Sequence, residues 1–519
     1  MNKTMKTNKT LKPIAELSAI LLAVAASAET INNDDIPVAR PDDGVLLFID
    51  AEEEVGPVKP MNAVNNGPNF LEHHDDPITS AEGVHEGRFD AFRDLSVPMT
   101  RTHDSRYMAG NPGRMNDPAL IFPDFAADEN DPGNYDFKLT DAYLNAIRLT
   151  GADIMYFLGS SCDTEIGGRN HGTDEPPKDP AKWARIAERI VRHYNEGWGW
   201  TNEVIAFSNQ FNITHWEIWN EADLDCSKDY WEKGTRTWER RHRYWNGSPE
   251  QFFEFYGIVA KHLKATFPDL KFGGPALAGH LDDWGVRFLD YCRTNSVPLD
   301  FFSWHAYKST PFGYAQSAAR VRSVLDGHGF RGVPSYLDEW NWNCGWYGDG
   351  ARESYHRRGE MNNFRVAAFY AATMCVAQDA PVDMLMYYDT RVPCLYNGLF
   401  SSDAELPLKG YYAFYAWSRL QRLGRQVRAR LVGPDSALAA VAAHGTDGGL
   451  AVLVARCTGN ANDFETVPVK VSVRGRSLAG ARLHVTDEFE RHTERVLRVA
   501  PDGSATVRLA PHAFAVIEL

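Results

Sequence analysis

The feature that most constrains the fold of this chain is a regular alternation of short β-rich runs with longer amphipathic segments. Eight runs are rich in β-branched and aromatic residues, as strands are: Val58–Val64, Val97–Thr102, Asp153–Leu158, Thr214–Asn220, Lys271–Pro275, Asp300–His305, Ser335–Glu339 and Met384–Tyr388. Six segments between them have helical spacing: 138–150, 180–195, 249–266, 284–294, 314–327 and 359–377. Strand and helix alternating eight times predict an α/β fold, a (β/α)8 TIM barrel with long insertions, over residues 58–425. A doubly wound open sheet is the alternative.

Beyond Leu423 the pattern changes to short alternating runs separated by Gly, Asp and Pro turns. This pattern predicts an accessory C-terminal antiparallel β-sandwich domain over residues 426–519. One strand-like run, 45–50, precedes the barrel and has no other partner. The N-terminal segment 29–57 is therefore predicted to join the β domain.

Residues 1–28 have the form of an export signal. Four lysines precede the apolar run 17–25, and Ala26-Ser27-Ala28 has the small-x-small form of a cleavage site. We expect the cleaved protein to be secreted or periplasmic and not to be bound to a membrane. An uncleaved membrane anchor is the alternative.

Charge and motifs exclude several classes of partner. With 69 acidic and 54 basic residues the chain carries a net charge of −15, which argues against binding to nucleic acid or anionic lipid. The seven cysteines are irregularly spaced, and no motif for a metal, nucleotide or redox cofactor occurs. We therefore expect no cofactor; the oligomeric state is not indicated.

Two carboxylates at predicted strand ends suggest the chemistry. Reacting residues of a barrel lie at the C-terminal ends of its strands. Period-two alternation places Glu217, Trp219 and Glu221 on one face of the fourth strand, with Glu221 at the rim. Glu339 lies at the end of the seventh strand. Two such carboxylates about 5 Å apart would suit the nucleophile and the acid/base of a retaining glycosidase.

The chain resembles glycoside hydrolase family 39, the family of β-xylosidases and α-L-iduronidase, within the clan of retaining (β/α)8 glycosidases. The resemblance spans most of the chain that follows the export signal. The matching stretches are Arg101-Thr102-His103-Asp104, Trp216-Glu217-Ile218-Trp219-Asn220-Glu221, Gly273-Gly274-Pro275, the segment 300–307 and Asp338-Glu339-Trp340-Asn341.

The resemblance implies roles for individual residues. Glu221 would be the general acid/base, and Glu339 would attack the anomeric carbon. Asn220 would hydrogen-bond the sugar 2-hydroxyl, Tyr307 would hold Glu339, and Arg101 would keep Glu339 ionised.

Four further residues are expected to bind substrate. His103 and His305 would line the glycon pocket, and Trp340 and Asp389 lie beside the ends of the seventh and eighth strands. The predicted protein is thus a β-xylosidase-like, exo-acting hydrolase that cleaves oligo- or polysaccharides by double displacement. An endo-acting glycanase and a carbohydrate-binding pseudoenzyme are the alternatives.

One departure from the family concerns the sugar. β-Xylosidases of the family carry an aromatic residue followed by two glutamates after the eighth strand, whereas residues 386–394 contain no glutamate pair. Seven arginines instead follow the fourth and seventh strands: Arg236, Arg240, Arg241, Arg243, Arg352, Arg357 and Arg358. Such arginines could bind the carboxylate or sulfate of an acidic or sulfated sugar, or could pair with acids on a solvated helix.

Four cysteines follow predicted barrel strands on the catalytic face. Cys162 and Cys226 follow the third and fourth strands, and Cys344 and Cys394 follow the seventh and eighth. Because loops of neighbouring strands lie close together, the favoured disulfides are Cys162 to Cys226 and Cys344 to Cys394.

Overall fold

The fold is that of a computed structural model, in which the described residues are 44–67, 89–103, 116–159, 176–200, 211–224, 244–245, 247–344, 361–390, 396–401, 406–460 and 462–519.

Eight parallel strands close into a barrel in sequential order, which confirms the predicted fold class. One strand, β1 (Val45–Pro57), precedes the barrel and lies outside it. The barrel strands are β2 (Ala63–Asn65), β3 (Met99–Arg101), β4 (Asp153–Phe157), β5 (His215–Glu217), β6 (Lys271–Leu277), β7 (Phe302–Lys308), β8 (Ser335–Trp342) and β9 (Met384–Tyr387). They correspond to the eight predicted runs; the first, second and fourth are three or four residues shorter than predicted, and the third and eighth are one residue shorter.

The described helices are α1 (Phe89–Leu95), α2 (Pro118–Ile121), α3 (Lys138–Leu149), α4 (Pro180–Glu196), α5 (Pro249–Thr266), α6 (Val286–Thr294), α7 (Gly313–Gly327), α8 (Phe364–Asp379) and α9 (Lys409–Leu423). None of them is long and apolar enough to cross a membrane.

Local sequence explains where the long helices begin and end. Helix α5 starts with a proline after Ser248, whose side chain forms a capping box with Gln251. Helix α4 ends at Gly197, whose φ of 78° is left-handed, as a helix-terminating glycine allows.

The C-terminal region forms one nine-stranded sheet together with β1. Its strands are β10 (Arg425–Val432), β11 (Leu438–His444), β12 (Leu450–Cys457), β13 (Val467–Val473), β14 (Arg482–Thr486), β15 (Thr493–Arg495), β16 (Ala505–Leu509) and β17 (His512–Glu518). The strand order is β15-β14-β17-β12-β11-β10-β1-β13-β16. Strand β1 pairs antiparallel with β10 and parallel with β13, so the sheet is mixed and not purely antiparallel as predicted.

The two faces of this sheet bury different cores. Residues such as Leu47, Val452 and Val471 form a core of the sheet itself. On the other face, Leu453 and Phe514 join the large core that includes the barrel helices. The sheet therefore packs beside α8 and α9.

The barrel interior changes from apolar to polar along the strands. At the N-terminal end, Met99, Met155, Phe301, Tyr336 and Met386 form a separate apolar cluster with their neighbours. The next layer towards the C-terminal end contains buried polar side chains: Asn65, Arg101, Glu217, Ser303 and Asp338. This polar layer is the base on which the candidate site lies.

Candidate active site

The two predicted catalytic glutamates meet at the C-terminal end of the barrel. Glu221 follows β5, and Glu339 lies in β8. A carboxylate oxygen of Glu221, a carboxylate oxygen of Glu339 and a ring nitrogen of His305 all lie within 4.8 Å of one another. This separation is close to the ~5–5.5 Å between the carboxyl groups of retaining glycosidases.

Glu339 is held by three side chains, one from β7 and two from the end of β3 and the residues directly after it. Tyr307 donates its hydroxyl to Oε2 at 2.8 Å, and Arg101 Nη1 donates to Oε1 at 3.1 Å. His103 Nε2 lies 2.6 Å from Oε1. Burial alone would raise the pKa of Glu339, but His305, His103 and Arg101 together lower it below its ordinary value. Glu339 is therefore suited to act as an ionised nucleophile.

Glu221 has the opposite electrostatic environment. Burial raises its pKa above the ordinary value, and the nearby charge of Glu339 acts in the same direction. His305 Nδ1, 2.7 Å from Glu221 Oε1, opposes this effect only in part. Two carboxyl groups whose pKa values move apart are typical of an ionised nucleophile paired with a proton donor.

Arg101 connects the catalytic pair to the polar layer below it. It donates to Glu217 at 2.6 Å, to Asn220 Oδ1 at 2.8 Å and to Asn65 Oδ1 at 3.0 Å. Carboxylates surrounding the buried guanidinium raise its pKa, although burial alone would lower it. The predicted residues Arg101, Asn220 and Glu339 thus belong to one network.

Several residues of the network around Arg101 have no role predicted from the sequence. Asn65 ends β2, Glu217 ends β5, Ser303 donates to Glu217 at 2.5 Å, and Asp338 precedes the nucleophile. The signal that could have found them is a polar residue at an inward position of an otherwise apolar strand.

Trp219 does not share a face with Glu217 and Glu221, so the predicted alternation is wrong there. Strand β5 ends at Glu217, and both Trp219 (φ 70°) and Glu221 (φ 45°) have left-handed backbone conformations. The ring of Trp219 packs instead against Trp183 and Phe255 of the outer helices. The turn carries Glu221 over the barrel mouth, where its backbone N–H donates to Ala276 O at 3.0 Å.

Trp340 is likewise not placed to bind substrate. Its side chain is fully buried and packs against Tyr314, Tyr370 and Phe414, on the helix side of β8. The cause is that Trp340 alternates with Glu339, whose side chain points into the barrel. The expectation that Trp340 binds substrate is therefore replaced by a core-packing role.

Residues after β9 complete this side of the site. Asp389 is fully buried directly after Tyr388, whose ring lies 5.0 Å from that of His103. Asn341 fixes this segment to β8, because its amide donates to Tyr388 O at 2.5 Å and to Tyr396 O at 2.8 Å.

Two groups of predictions fall largely outside the described residues. All seven arginines of the loops after the fourth and seventh strands lie there, as do Cys162, Cys226 and Cys394. Cys344 is described and half-buried, just after β8. Both disulfides and the anion-binding role of the arginines stay predictions.

Comparison with protein families matches residues 130–377 to the model of glycosyl hydrolases family 39. A β-xylosidase of Geobacillus stearothermophilus is 29% identical over 351 residues, which are 61% of this chain and 62% of that protein. A β-xylosidase of Caldicellulosiruptor saccharolyticus is 29% identical over 185 residues, 33% of this chain and 32% of that protein. The alignments thus span less than two thirds of these curated relatives.

Similarity to solved structures extends over the barrel and the β domain. A glucosidase from Croceicoccus marinus has a TM-score of 0.67 at 22% identity, and the match covers 91% of this chain and 98% of that one. At this identity the likeness supports the fold.

Proposed function

We propose that the chain, of which residues 130–377 match the model of glycosyl hydrolases family 39, is a glycoside hydrolase that cleaves O-glycosidic bonds by double displacement, with retention of anomeric configuration. The observation that carries this proposal is the pairing of Glu221 and Glu339, whose oxygens lie within 4.8 Å and whose pKa values shift in opposite directions. An inverting mechanism needs a wider gap to hold a water molecule between the sugar and the base.

In the first step, Glu339 attacks the anomeric carbon while Glu221 donates its proton to the departing glycosidic oxygen. The bond between the anomeric carbon and the leaving oxygen breaks, and its electron pair stays on that oxygen. A covalent glycosyl ester on Glu339 results. Because the ester is uncharged, the electrostatic effect of Glu339 that raises the pKa of Glu221 is lost.

In the second step, Glu221 accepts a proton from water, and the water oxygen attacks the anomeric carbon. Glu339 leaves as a carboxylate, for which Tyr307, His103 and Arg101 are already in place. Asn220, whose oxygen accepts from Arg101, presents its amide NH2 to the sugar 2-hydroxyl. This hydrogen bond would strengthen as positive charge develops on the sugar ring.

The substrate is proposed to be a terminal sugar of an oligo- or polysaccharide. The β-xylosidase relatives support a β-xyloside, whereas two features of the sequence favour an acidic or sulfated sugar: the missing glutamate pair after β9 and the arginines that follow the fourth and seventh predicted strands. Assays on an aryl β-D-xyloside, α-L-arabinoside, β-D-galactoside and α-L-iduronide would identify the sugar. A comparison of xylo-oligosaccharides with polymeric xylan as substrates would separate exo from endo action. Failure of every substrate with wild-type protein, or equal activity of Glu339→Gln, would contradict the proposal.

Export is a further part of the proposed function, supported by the lysines and apolar run within residues 1–28. Mass spectrometry of the protein recovered from outside the cytoplasm is expected to find an N-terminus at Glu29. Retention of residues 1–28 on a membrane-bound protein would indicate an uncleaved anchor.

A further inference from the structure

A second acid, Asp338, lies directly beneath the catalytic pair. Its side chain is fully buried, as are those of Arg101 and Glu217. Together with Glu339, these residues place three carboxyl groups around the guanidinium of Arg101. The distance from an Arg101 nitrogen to a carboxylate oxygen is 2.6 Å for Glu217, 3.2 Å for Asp338 and 3.1 Å for Glu339. One positive charge cannot compensate three buried negative charges at such distances.

The position of Asp338 follows from an irregularity in β8. The register between β7 and β8 pairs Trp304 with Leu337 and then His305 with Glu339, so Asp338 is the extra residue of a bulge. A bulge allows two consecutive side chains to point towards the same side of a sheet. Asp338 and Glu339 therefore both face the barrel interior.

Hydrogen bonding distinguishes Asp338 from the other two acids. Glu217 accepts from Arg101 Nε at 2.6 Å and from Ser303 Oγ at 2.5 Å, and Glu339 has the three donors described above. Within the described part of the chain, neither oxygen of Asp338 accepts a well-formed hydrogen bond. Arg101 Nε lies near Asp338 Oδ2, but its N–H is directed to Glu217. A buried carboxylate without donors is far less stable than a neutral carboxylic acid.

The groups that face Asp338 show where a proton on it would bind. Arg101 Nε lies 2.6 Å from Glu217 Oε2 and 3.2 Å from Asp338 Oδ2, so these two carboxyl groups are neighbours on one nitrogen, and Glu339 is the other charged neighbour. His305 Nε2 lies 3.5 Å from Asp338 Oδ1. A proton between Asp338 and Glu217 would convert their repulsion into a hydrogen bond, as in other carboxyl pairs that share one proton.

We propose that Asp338 keeps a proton at the pH of catalysis and shares it with Glu217, so that the two form a singly ionised pair that positions Arg101 against Glu339. Asp338 is thus a positioning residue, because it acts on the nucleophile through Glu217 and Arg101. Burial, followed by the charge of Glu217, raises the pKa of Asp338 well above its ordinary value, in agreement with the geometry. The expected effect on catalysis rests on the proposed function, in which Glu339 is the nucleophile. The shared proton itself does not depend on it.

Two variants of the full-length protein test the role in catalysis. Asp338→Asn keeps a neutral donor that can bind Glu217, and we expect kcat/KM within about threefold of wild type and both pH limbs unmoved within about 0.3 pH unit. Asp338→Leu removes the donor at similar volume. It is expected to lower kcat by about tenfold or more with little change in KM, a loss that Asn rescues.

Infrared spectroscopy tests the proton itself, without reference to activity. The difference spectrum of wild type minus Asp338→Asn, recorded at the pH of catalysis, should contain the carbonyl stretch of a protonated carboxylic acid. Asp383→Asn is the matched control. Asp383 accepts a hydrogen bond of 2.7 Å from the backbone N–H of Ser335, which begins β8, the strand that carries Asp338. Its difference spectrum should lack this band.

The two readouts separate failure of this proposal from failure of the proposed function. Loss of an ionised-carboxylate band in Asp338→Asn, or a downward shift of its basic pH limb by about one unit, would show that Asp338 is ionised and overturn the proposal. Equal activity of folded Asp338→Leu and Asp338→Asn would overturn the positioning role. An inactive wild-type protein that still shows the acid band would overturn the proposed function alone.

Discussion

At the scale of single residues, the guanidinium of Arg101 joins the proposed nucleophile to the polar layer beneath it. It contacts Glu217, Asn220 and Glu339 from an interior position of β3. The resemblance to a known family predicted its effect on Glu339, because the arginine belongs to a matching stretch. It did not predict the contact with Glu217, since a distance between two strands depends on barrel closure and not on local sequence.

The pH dependence of the enzyme should report the two catalytic glutamates. Glu339 must be ionised and Glu221 protonated, so kcat/KM should rise as pH increases through the lowered pKa of Glu339. It should fall as pH increases further through the raised pKa of Glu221. Initial rates on an aryl glycoside up to about pH 10 would measure the basic limb, and the acid limb should lie below the ordinary pKa range of a glutamate.

The matched variant is Glu221→Gln, assayed with an aryl substrate whose leaving group needs no protonation. Its profile should lose the basic limb, and azide should restore turnover with retained configuration. A basic limb that persists in this variant would show that a group other than Glu221 controls it.

Tyr307→Phe tests the hydroxyl that holds the nucleophile. The loss of one donor to Glu339 Oε2 should lower kcat by about 10- to 100-fold and move the acid limb upwards, because the donor favours the ionised form. Tyr135→Phe, which removes a hydroxyl bonded to Glu129 O at 2.9 Å, is the control. Equal kcat values for the two variants would argue against the role of Tyr307.

At the scale of elements, alternation along strands was predictable only where the strands are regular. Ser303, His305 and Tyr307 follow β7 with period two and all face the interior. The pattern fails after Glu217, where β5 ends and left-handed residues follow, and at the bulge in β8. Short sequence patterns do not reveal these irregularities, because tertiary contacts stabilise them.

Trp340→Ala separates a core residue from a sugar-binding one. Since its ring is buried among Tyr314, Tyr370 and Phe414, we expect the free energy of unfolding to fall by about 3–5 kcal/mol. Trp340→Phe should fold and keep the wild-type KM. Urea unfolding and steady-state kinetics measure these quantities; a tenfold higher KM in a stable Trp340→Phe protein would restore the substrate-binding interpretation.

At the scale of the whole molecule, the order of strands and helices was sufficient to predict a barrel followed by a β domain. The pairing of β1 with β13 was not predictable, because these two strands lie more than four hundred residues apart in the sequence. The sheet buries Leu453 and Phe514 in the same core as the barrel helices. The β domain is therefore expected to be needed for a stable barrel.

A chain truncated after residue 425 tests this dependence. It would expose the apolar face that α8 and α9 bury against the sheet, so we expect aggregation or a lower melting temperature. The recovery of soluble protein and its thermal unfolding are the measurements. A truncated chain that stays soluble, unfolds at the wild-type temperature and retains full activity would refute a structural role for the β domain.

The central claim, that Glu339 and Glu221 act by double displacement, is tested most directly by the configuration of the first product. Proton NMR during the first turnovers can follow the anomeric signal of the sugar released from whichever aryl glycoside of the panel the wild-type protein hydrolyses. Two displacements at the anomeric carbon predict a product with the same configuration as the substrate, before mutarotation. A product that first appears with inverted configuration would falsify the account.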